Sequence, residues 1–196
     1  PDKYSGLDRI IRRTELSSIT GWLTSPELPQ ELYFDDASDS EEKLYYYGVF
    51  TEVKPFVVSG EIYGIELTFT CSSQYAFTQK ESYTCADGSS VIINNTSDEW
   101  EKSVYPFLEI TPTATGEVII SNTTIGKSLK FNGKNQNIVY IDCKNNIVYD
   151  KAGVLKYSDL GWGVDTIGSF WWPELVHGNN TISVSGANLK LTCQYP

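Results

Sequence analysis

The sequence has few of the residues that enzyme active sites use. It contains a single histidine, His177, and no methionine. A Ser–His–Asp triad or a histidine-ligated metal site would have to use His177, which lies in VHGNN directly before a predicted turn. Neither a GxSxG nor an HExxH motif accompanies it. The sequence therefore predicts no enzymatic activity, no cofactor and no metal.

Long apolar runs and an excess of basic residues are also missing. No stretch approaches the roughly 18–20 apolar residues of a membrane span, and we find no secretory signal. The net charge is -10, which disfavours binding to the phosphates of duplex nucleic acid. Because the chain starts at Pro1 and lacks methionine, we expect a processed product or a fragment.

Cysteine is scarce, and no two of the four cysteines are spaced as CxxC. This spacing excludes zinc-ribbon and thioredoxin-type motifs. Cys71, Cys143 and Cys193 are in phase with the apolar residues of predicted strands, so we expect them to be buried and reduced. Cys85 lies in a polar segment and is predicted to be the exposed cysteine that reacts first.

The residues that are abundant indicate a β-rich globular protein. Apolar residues make up 40% of the chain and charged residues 20%, which excludes a disordered chain. The 13 tyrosines, with 8 phenylalanines and 5 tryptophans, favour sheet structure. The clearest strand is predicted within residues 65–78, where Ile65, Leu67, Phe69 and Cys71 alternate with polar residues.

A first module with one helix is predicted at residues 1–82. The helix spans about Thr14 to Leu23, with Thr14 as the N-cap and Glu15 in the first turn. A helix this short must pack on a sheet, for which the predicted strands are residues 31–34, 44–50 and 65–78. The acidic segment at 35–42 lacks the EF-hand spacing and is predicted to be a solvated hairpin loop. The apolar stripe of the helix comprises Leu16, Ile19, Trp22 and Leu23.

The second module, residues 83–196, is predicted to be all β. Short alternating segments follow one another from residue 107 onwards, whereas we assign no strand to residues 79–103. Asn132-Gly133, Asn145-Asn146 and Gly186 supply turn residues. This pattern is typical of a β-sandwich or jelly roll. The predicted fold class is therefore mainly β: a module with one short helix, followed by a sandwich.

An aromatic group lies between two predicted strands near the C-terminus and comprises Trp162, Phe170, Trp171 and Trp172. Tryptophans on sandwich loops can stack on sugar rings, which makes Trp162, Trp171 and Trp172 candidate glycan contacts. Alternatively, these side chains fill the core or a subunit contact. We expect packing and weak or no glycan affinity, because Trp171-Trp172-Pro173 directly precedes a turn and a core strand.

Several short motifs, each present once, follow one another along nearly the whole chain. In the first module they are ITGWL at 19–23, the tyrosine run at 45–47 and LTFTCSSQYAF at 67–77. In the second module they are residues 106–111 with 116–122, IDC at 141–143, PEL at 173–175 and GNNTI at 178–182. Together these motifs resemble the distal tail proteins of long-tailed, non-contractile bacteriophages, although Ser73-Gln74 stands where an Asp-Pro pair is common.

The resemblance implies a structural virion component of the tail tip. The first module would form a ring, usually a hexamer, and the second would be a galectin-like sandwich. The ring would join the tail tube to the host-adhesion apparatus, contact tail-tip and receptor-binding proteins, and let DNA pass without specific binding. Assembly would take place in the host cytoplasm.

A closed ring needs two different complementary patches on each subunit. The first module offers a basic and an acidic stretch, whose pairing would set orientation, and tyrosines that would supply apolar burial. The alternative is that both charged stretches are solvated. The candidate interface residues are Arg9, Arg12, Arg13, Asp35, Asp36, Glu41, Tyr45 and Tyr47.

Three hypotheses from different classes follow. The first is a tail hub without enzymatic activity, and the alternative is a carbohydrate-binding β-sandwich module that recognises host-surface glycans. A hydrolase is the third, because the two carboxylates of a glycosidase need not be close in sequence.

Overall fold

We describe residues 10–34, 43–113, 115–133, 137–161 and 171–196 of a computed structural model of the chain. These ranges contain one α-helix, one 3-10 turn and 13 β-strands. The chain divides into two compact units, residues 1–77 and 78–196. The predicted fold class, mainly β with one short helix followed by a sandwich, is confirmed. Within the described ranges, no helix is long and apolar enough to cross a membrane.

The first unit combines a helix with a three-stranded antiparallel sheet. The helix is α1 (Arg13–Thr24), and the strands are β1 (Gln30–Tyr33), β2 (Tyr45–Val58) and β3 (Glu61–Cys71), in the order β1-β2-β3. The strand predicted at 44–50 is longer than expected: the sequence favours a connection at Lys54-Pro55, but β2 continues through Pro55, which pairs with Ile65. A proline fits there because β1 pairs only with residues 45–48 of β2, so this part of β2 is an edge.

Helix α1 starts earlier than the sequence predicted. The carboxylate of Glu15 accepts a hydrogen bond of 2.9 Å from the backbone N–H of Arg12, so Arg12 is the N-cap in place of Thr14. Trp22 is not part of the packed stripe, because its side chain is 75% exposed. At 3.6 residues per turn it lies about 90° around the helix from the centre of the other stripe residues, which are Leu16, Ile19 and Leu23.

The second unit is a sandwich of two five-stranded antiparallel sheets, with orders β10-β9-β6-β13-β4 and β11-β8-β7-β12-β5. A 3-10 turn at Tyr157–Asp159 precedes β11. The strands are β4 (Glu81–Cys85), β5 (Ser90–Asn95), β6 (Phe107–Pro112), β7 (Glu117–Asn122), β8 (Lys127–Asn132), β9 (Val139–Asp142), β10 (Ile147–Asp150), β11 (Leu160–Gly161), β12 (Gly178–Ser185) and β13 (Ala187–Cys193).

Alternate residues of these strands face inward and form one apolar core. Leu108, Ile110 and Ile141 are fully buried, as the period of two requires. The predicted turn at Gly186 is confirmed: its φ is +81°, and a Cβ added there would lie 2.6 Å from the carbonyl oxygen of Glu117. Every described apolar side chain that is buried belongs to this unit.

The second unit begins earlier than the predicted boundary between residues 82 and 83. Thr78 donates its backbone N–H to the carbonyl oxygen of Tyr195 at 2.8 Å, and Glu81 and Ser82 pair with β13. The structure therefore places residues 78–82 in the sandwich. Strands β4 and β5 both lie in the segment to which the sequence assigned none.

Candidate functional site

The first unit exposes its apolar surface. Gly48 is its only buried residue within the described ranges. A Cβ at Gly48 would lie 2.2 Å from the carbonyl oxygen of Thr70, so that burial reflects close backbone contact. Large apolar side chains are well exposed on the helix, the sheet and the hairpin, among them Trp22, Tyr33, Phe34, Phe56, Val57 and Tyr63.

A groove of about 770 Å³ runs between α1 and the end of the β2–β3 hairpin. Leu16 and Gly21 line it from the helix, and Pro55, Val57 and Ile62 line it from the hairpin. Val57 and Ile62 are directly opposite in the ladder and therefore lie on the same face of the sheet. Since Val57 is 51% exposed, the apolar part of the groove is open, and Ser17, Thr20 and Thr24 add polar groups along the helix. We call this surface the hairpin groove.

The charged residues predicted to form a subunit interface are only partly described. Arg9, Asp35, Asp36 and Glu41 lie outside the described residues. Arg12 and Arg13 are exposed at the N-terminus of α1, and Arg13 also lines the hairpin groove.

The two predicted tyrosines are half-buried by their own unit. The Tyr45 ring centroid is 5.7 Å from that of Tyr33. Tyr47 contacts Phe77 edge-on at 5.5 Å, and its hydroxyl donates a 2.8 Å hydrogen bond to Glu31. These rings therefore present only part of their surface to a partner.

The second unit contains a cleft of about 450 Å³ that includes two of the predicted tryptophans. Trp171 and Trp172 are partly buried and pack against the core, as the packing alternative predicted, yet both also line the cleft. Trp162 lies outside the described residues. The other lining residues, which the sequence analysis did not identify, are Tyr105, Lys127, Cys143, Lys144, Asn146 and Glu174.

Glu174 is a carboxylate that lines this cleft and forms hydrogen bonds with two of its other lining residues. Its Oε1 accepts hydrogen bonds from Lys127 Nζ at 2.9 Å and from Trp171 Nε1 at 3.3 Å. Partial burial raises the pKa of Glu174, but hydrogen bonds from Lys127, Ser103 and Trp171 outweigh it and hold the pKa below its ordinary value. Glu174 is therefore an ionised acceptor over the whole neutral range.

Buried asparagines fix the backbone on which Glu174 lies. Asn180 Oδ1 accepts from the Val176 N–H at 2.9 Å, and its Nδ2 donates to the carbonyl oxygens of Val176 and Gly178. Asn122 Nδ2 donates to Asn180 Oδ1 at 3.0 Å and to the Glu174 carbonyl oxygen at 2.9 Å. These contacts satisfy backbone groups that a loop would otherwise leave unpaired, so the cleft has a rigid wall.

His177 has a packing role. Its ring stacks on Trp100 with 4.3 Å between centroids, and its Nδ1 lies 3.1 Å from the Ser97 carbonyl oxygen. Among the described residues, no three His, Cys, Asp or Glu side chains are grouped as metal ligands.

Two of the four cysteine predictions are wrong. Cys85 is 4% exposed, because it faces inward from β4 and pairs with Leu189. Cys71 is exposed, because it ends β3 opposite Gly48, in a unit whose described residues include no buried apolar side chain. Cys143 and Cys193 are buried as predicted, and all four are free thiols.

We expect Cys71 to be the fast-reacting thiol under native conditions. Burial raises the pKa of Cys143 and raises that of Cys193 to about 11, which lowers the reactive thiolate of Cys193 about 100-fold. Labelling with a maleimide should therefore show one fast equivalent, lost in Cys71→Ser and kept in Cys85→Ser. A fast phase that disappears in Cys85→Ser would contradict the structure.

Comparison with known proteins places the chain among phage tail proteins. Residues 74–195 match the model of a family described as a phage tail C-terminal domain, and residues 5–73 match a phage tail protein N-terminal domain. No curated protein matches the chain in sequence.

Two solved structures share the fold. The first is the Dit protein of phage SPP1, described as a paradigm of the hub adsorption apparatus in phages that infect Gram-positive hosts. It is 15% identical with a TM-score of 0.62, and the match covers 94% of this chain and 74% of that one. The second is a chain of the phage P2 baseplate in its activated conformation with Ca, 7% identical with a TM-score of 0.51, covering 93% and 71%.

Proposed function

The chain belongs to a family of phage tail proteins and has the fold of a distal tail protein, and from this premise we propose that it forms the ring-shaped hub of the tail tip. The observation that carries the proposal is the first unit, which exposes apolar side chains without burying any in the described residues. Exposed apolar surface of this extent marks an interaction site.

A second copy of the chain is the occupant that best fits the hairpin groove. Subunits in a ring meet through two different patches. The hairpin groove is one such patch, with Leu16, Val57 and Ile62. The aromatic surface formed by Tyr33 and Phe34, which are 48% and 60% exposed, is the second.

Charge would set the orientation of neighbouring subunits. Arg13 lines the hairpin groove, and Arg12 is the exposed residue before it; we propose that both pair with the acidic stretch of the next subunit. The partners proposed for this pairing are Asp35, Asp36 and Glu41, with Arg9 adding to the basic side.

The hub would join the tail tube to tail-tip and receptor-binding proteins. We propose a hexamer, assembled in the host cytoplasm, with a role that is structural and involves no enzymatic step. DNA would pass without specific binding, because a chain with net charge -10 repels phosphate.

Ring formation can be tested on the chain itself. Sedimentation velocity at tens of micromolar concentration, with negative-stain microscopy, should show six-fold rings of six times the 22.0 kDa chain mass. The ring population should fall as salt rises, because the charged pairs are screened. A protein that stays monomeric at low salt, alone and with its tail tube protein, would exclude the hub.

A further inference from the structure

We propose that the cleft of the second unit binds a saccharide that carries an acidic substituent. The site consists of the aromatic residues Tyr105, Trp171 and Trp172, the lysines Lys127 and Lys144, and the carboxylate Glu174. The proposal concerns the sandwich alone and does not depend on ring formation. Trp162, which the sequence also offered as a glycan contact, lies outside the described residues.

The cleft has the size and the chemistry of a ligand site. Its volume of about 450 Å³ lies within the roughly 300–1,000 Å³ of small-molecule pockets. Tyr105 is 44% exposed, which leaves much of its ring open to a ligand. The C–H face of a sugar ring packs on such an aromatic surface, while the sugar hydroxyls require charged or amide partners at the rim.

Glu174 supplies a hydrogen-bond acceptor that is already positioned. Its carboxylate is held by Lys127 and Trp171 and by Ser103. An ionised carboxylate offers about four lone-pair sites, so about one hydrogen bond from a sugar hydroxyl can be added to these three. Asn146 contributes an amide from a residue with a φ of 58°. Because Lys127 and Trp171 already hold the Glu174 carboxylate, this side chain loses little entropy on binding.

The charge of the cleft differs from that of the chain. Two ammonium groups, of Lys127 and Lys144, accompany a single carboxylate, that of Glu174, whereas the whole chain carries a net charge of -10. Since Lys127 is paired with Glu174, the exposed Lys144 is the group that would face an anion. A carboxylate or phosphate on the sugar is therefore favoured over a neutral saccharide.

Calorimetry and NMR on the full chain test the proposal. The probes are trigalacturonate and glucose 6-phosphate, with maltotriose and acetate as the neutral sugar and the non-sugar anion. We expect the indole N–H resonance of Trp171, assigned with Trp171→Phe, to shift on adding an acidic sugar. Either acidic sugar binding at millimolar concentration or tighter supports the site, and the tighter of the two identifies the acidic group.

Variants of exposed residues separate binding from folding. Tyr105→Ala and Lys144→Gln should each weaken binding by about tenfold, the effect of losing one ring contact or one charged hydrogen bond. The matched controls are Tyr63→Ala, a tyrosine of 46% exposure in the first unit, and Lys151→Gln, neither of which lines the cleft. The proposal is overturned if no acidic sugar binds, if maltotriose or acetate binds as tightly, or if the cleft variants match their controls.

Discussion

Val57→Asp should convert rings of this protein into monomers. Val57 lies in the hairpin groove, and its side chain is 51% exposed in the isolated chain. If a neighbouring subunit covers the groove, the substitution places an unpaired carboxylate in every interface, which costs about 3–5 kcal/mol. Each interface should weaken by at least about 100-fold, because 1.4 kcal/mol corresponds to a factor of ten.

The measurement compares ring populations by sedimentation velocity at equal protein concentration. Val154→Asp is the matched control, since Val154 is 54% exposed and belongs to the second unit. Thermal unfolding should be nearly unchanged in both variants, because surface substitutions usually alter stability by only about 0.5 kcal/mol. Unchanged ring formation by Val57→Asp, or equal loss with Val154→Asp, would show that the hairpin groove is not the ring contact.

Sequence patterns identified the sandwich where burial alternates strictly. The alternating segments predicted from residue 107 onwards include β6, which starts at Phe107, and β13, which contains Leu189 and Leu191. Strand β4, with the sequence ESYTC, was missed because it lies at a sheet edge and buries only Cys85 fully. Residues 78–82 also lack a clear alternation of apolar and polar residues, so the boundary was predicted after them.

The first unit was harder to predict because none of the apolar side chains described in it is fully buried. The apolar alternation around Leu67 predicts a core-facing strand, yet Leu67 is 44% exposed. An apolar residue that packs inside its own subunit and one that packs against a partner give the same alternating pattern in the sequence. The burial of Cys71 was wrongly predicted for the same reason. The phase of a strand shows on which face of the sheet a residue lies, but it does not show whether other residues cover that face.

The sequence identified only some of the residues that line the cleft, because these residues are far apart in the chain. Trp171 and Trp172 stand out by residue type, whereas Tyr105, Lys127 and Glu174 come from three separate segments. Their proximity results from the pairing of Val104 with Leu175 and from the asparagine contacts. The sequence held one signal: Asn122 and Asn180 occupy inward positions in strands whose other inward positions are apolar.

Asn180→Ala should lower the free energy of unfolding of the second unit by about 3 kcal/mol. Asn180 is fully buried, and its side chain forms hydrogen bonds with Val176, Gly178 and Asn122. Truncation leaves several of these buried groups unpaired, and each such group costs about 1–3 kcal/mol. Urea denaturation monitored by circular dichroism should show an earlier midpoint with an unchanged slope.

Asn94→Ala is the control that separates this network from the general effect of removing an asparagine. Asn94 is exposed on β5, and its strand partner is Asn179, the residue next to Asn180. Its loss should therefore change stability by no more than about 0.5 kcal/mol. Equal effects of the two substitutions would mean that the asparagine contacts do not hold the segment that carries Glu174, and that the wall of the cleft depends on the packing of Leu175 and Trp172 instead.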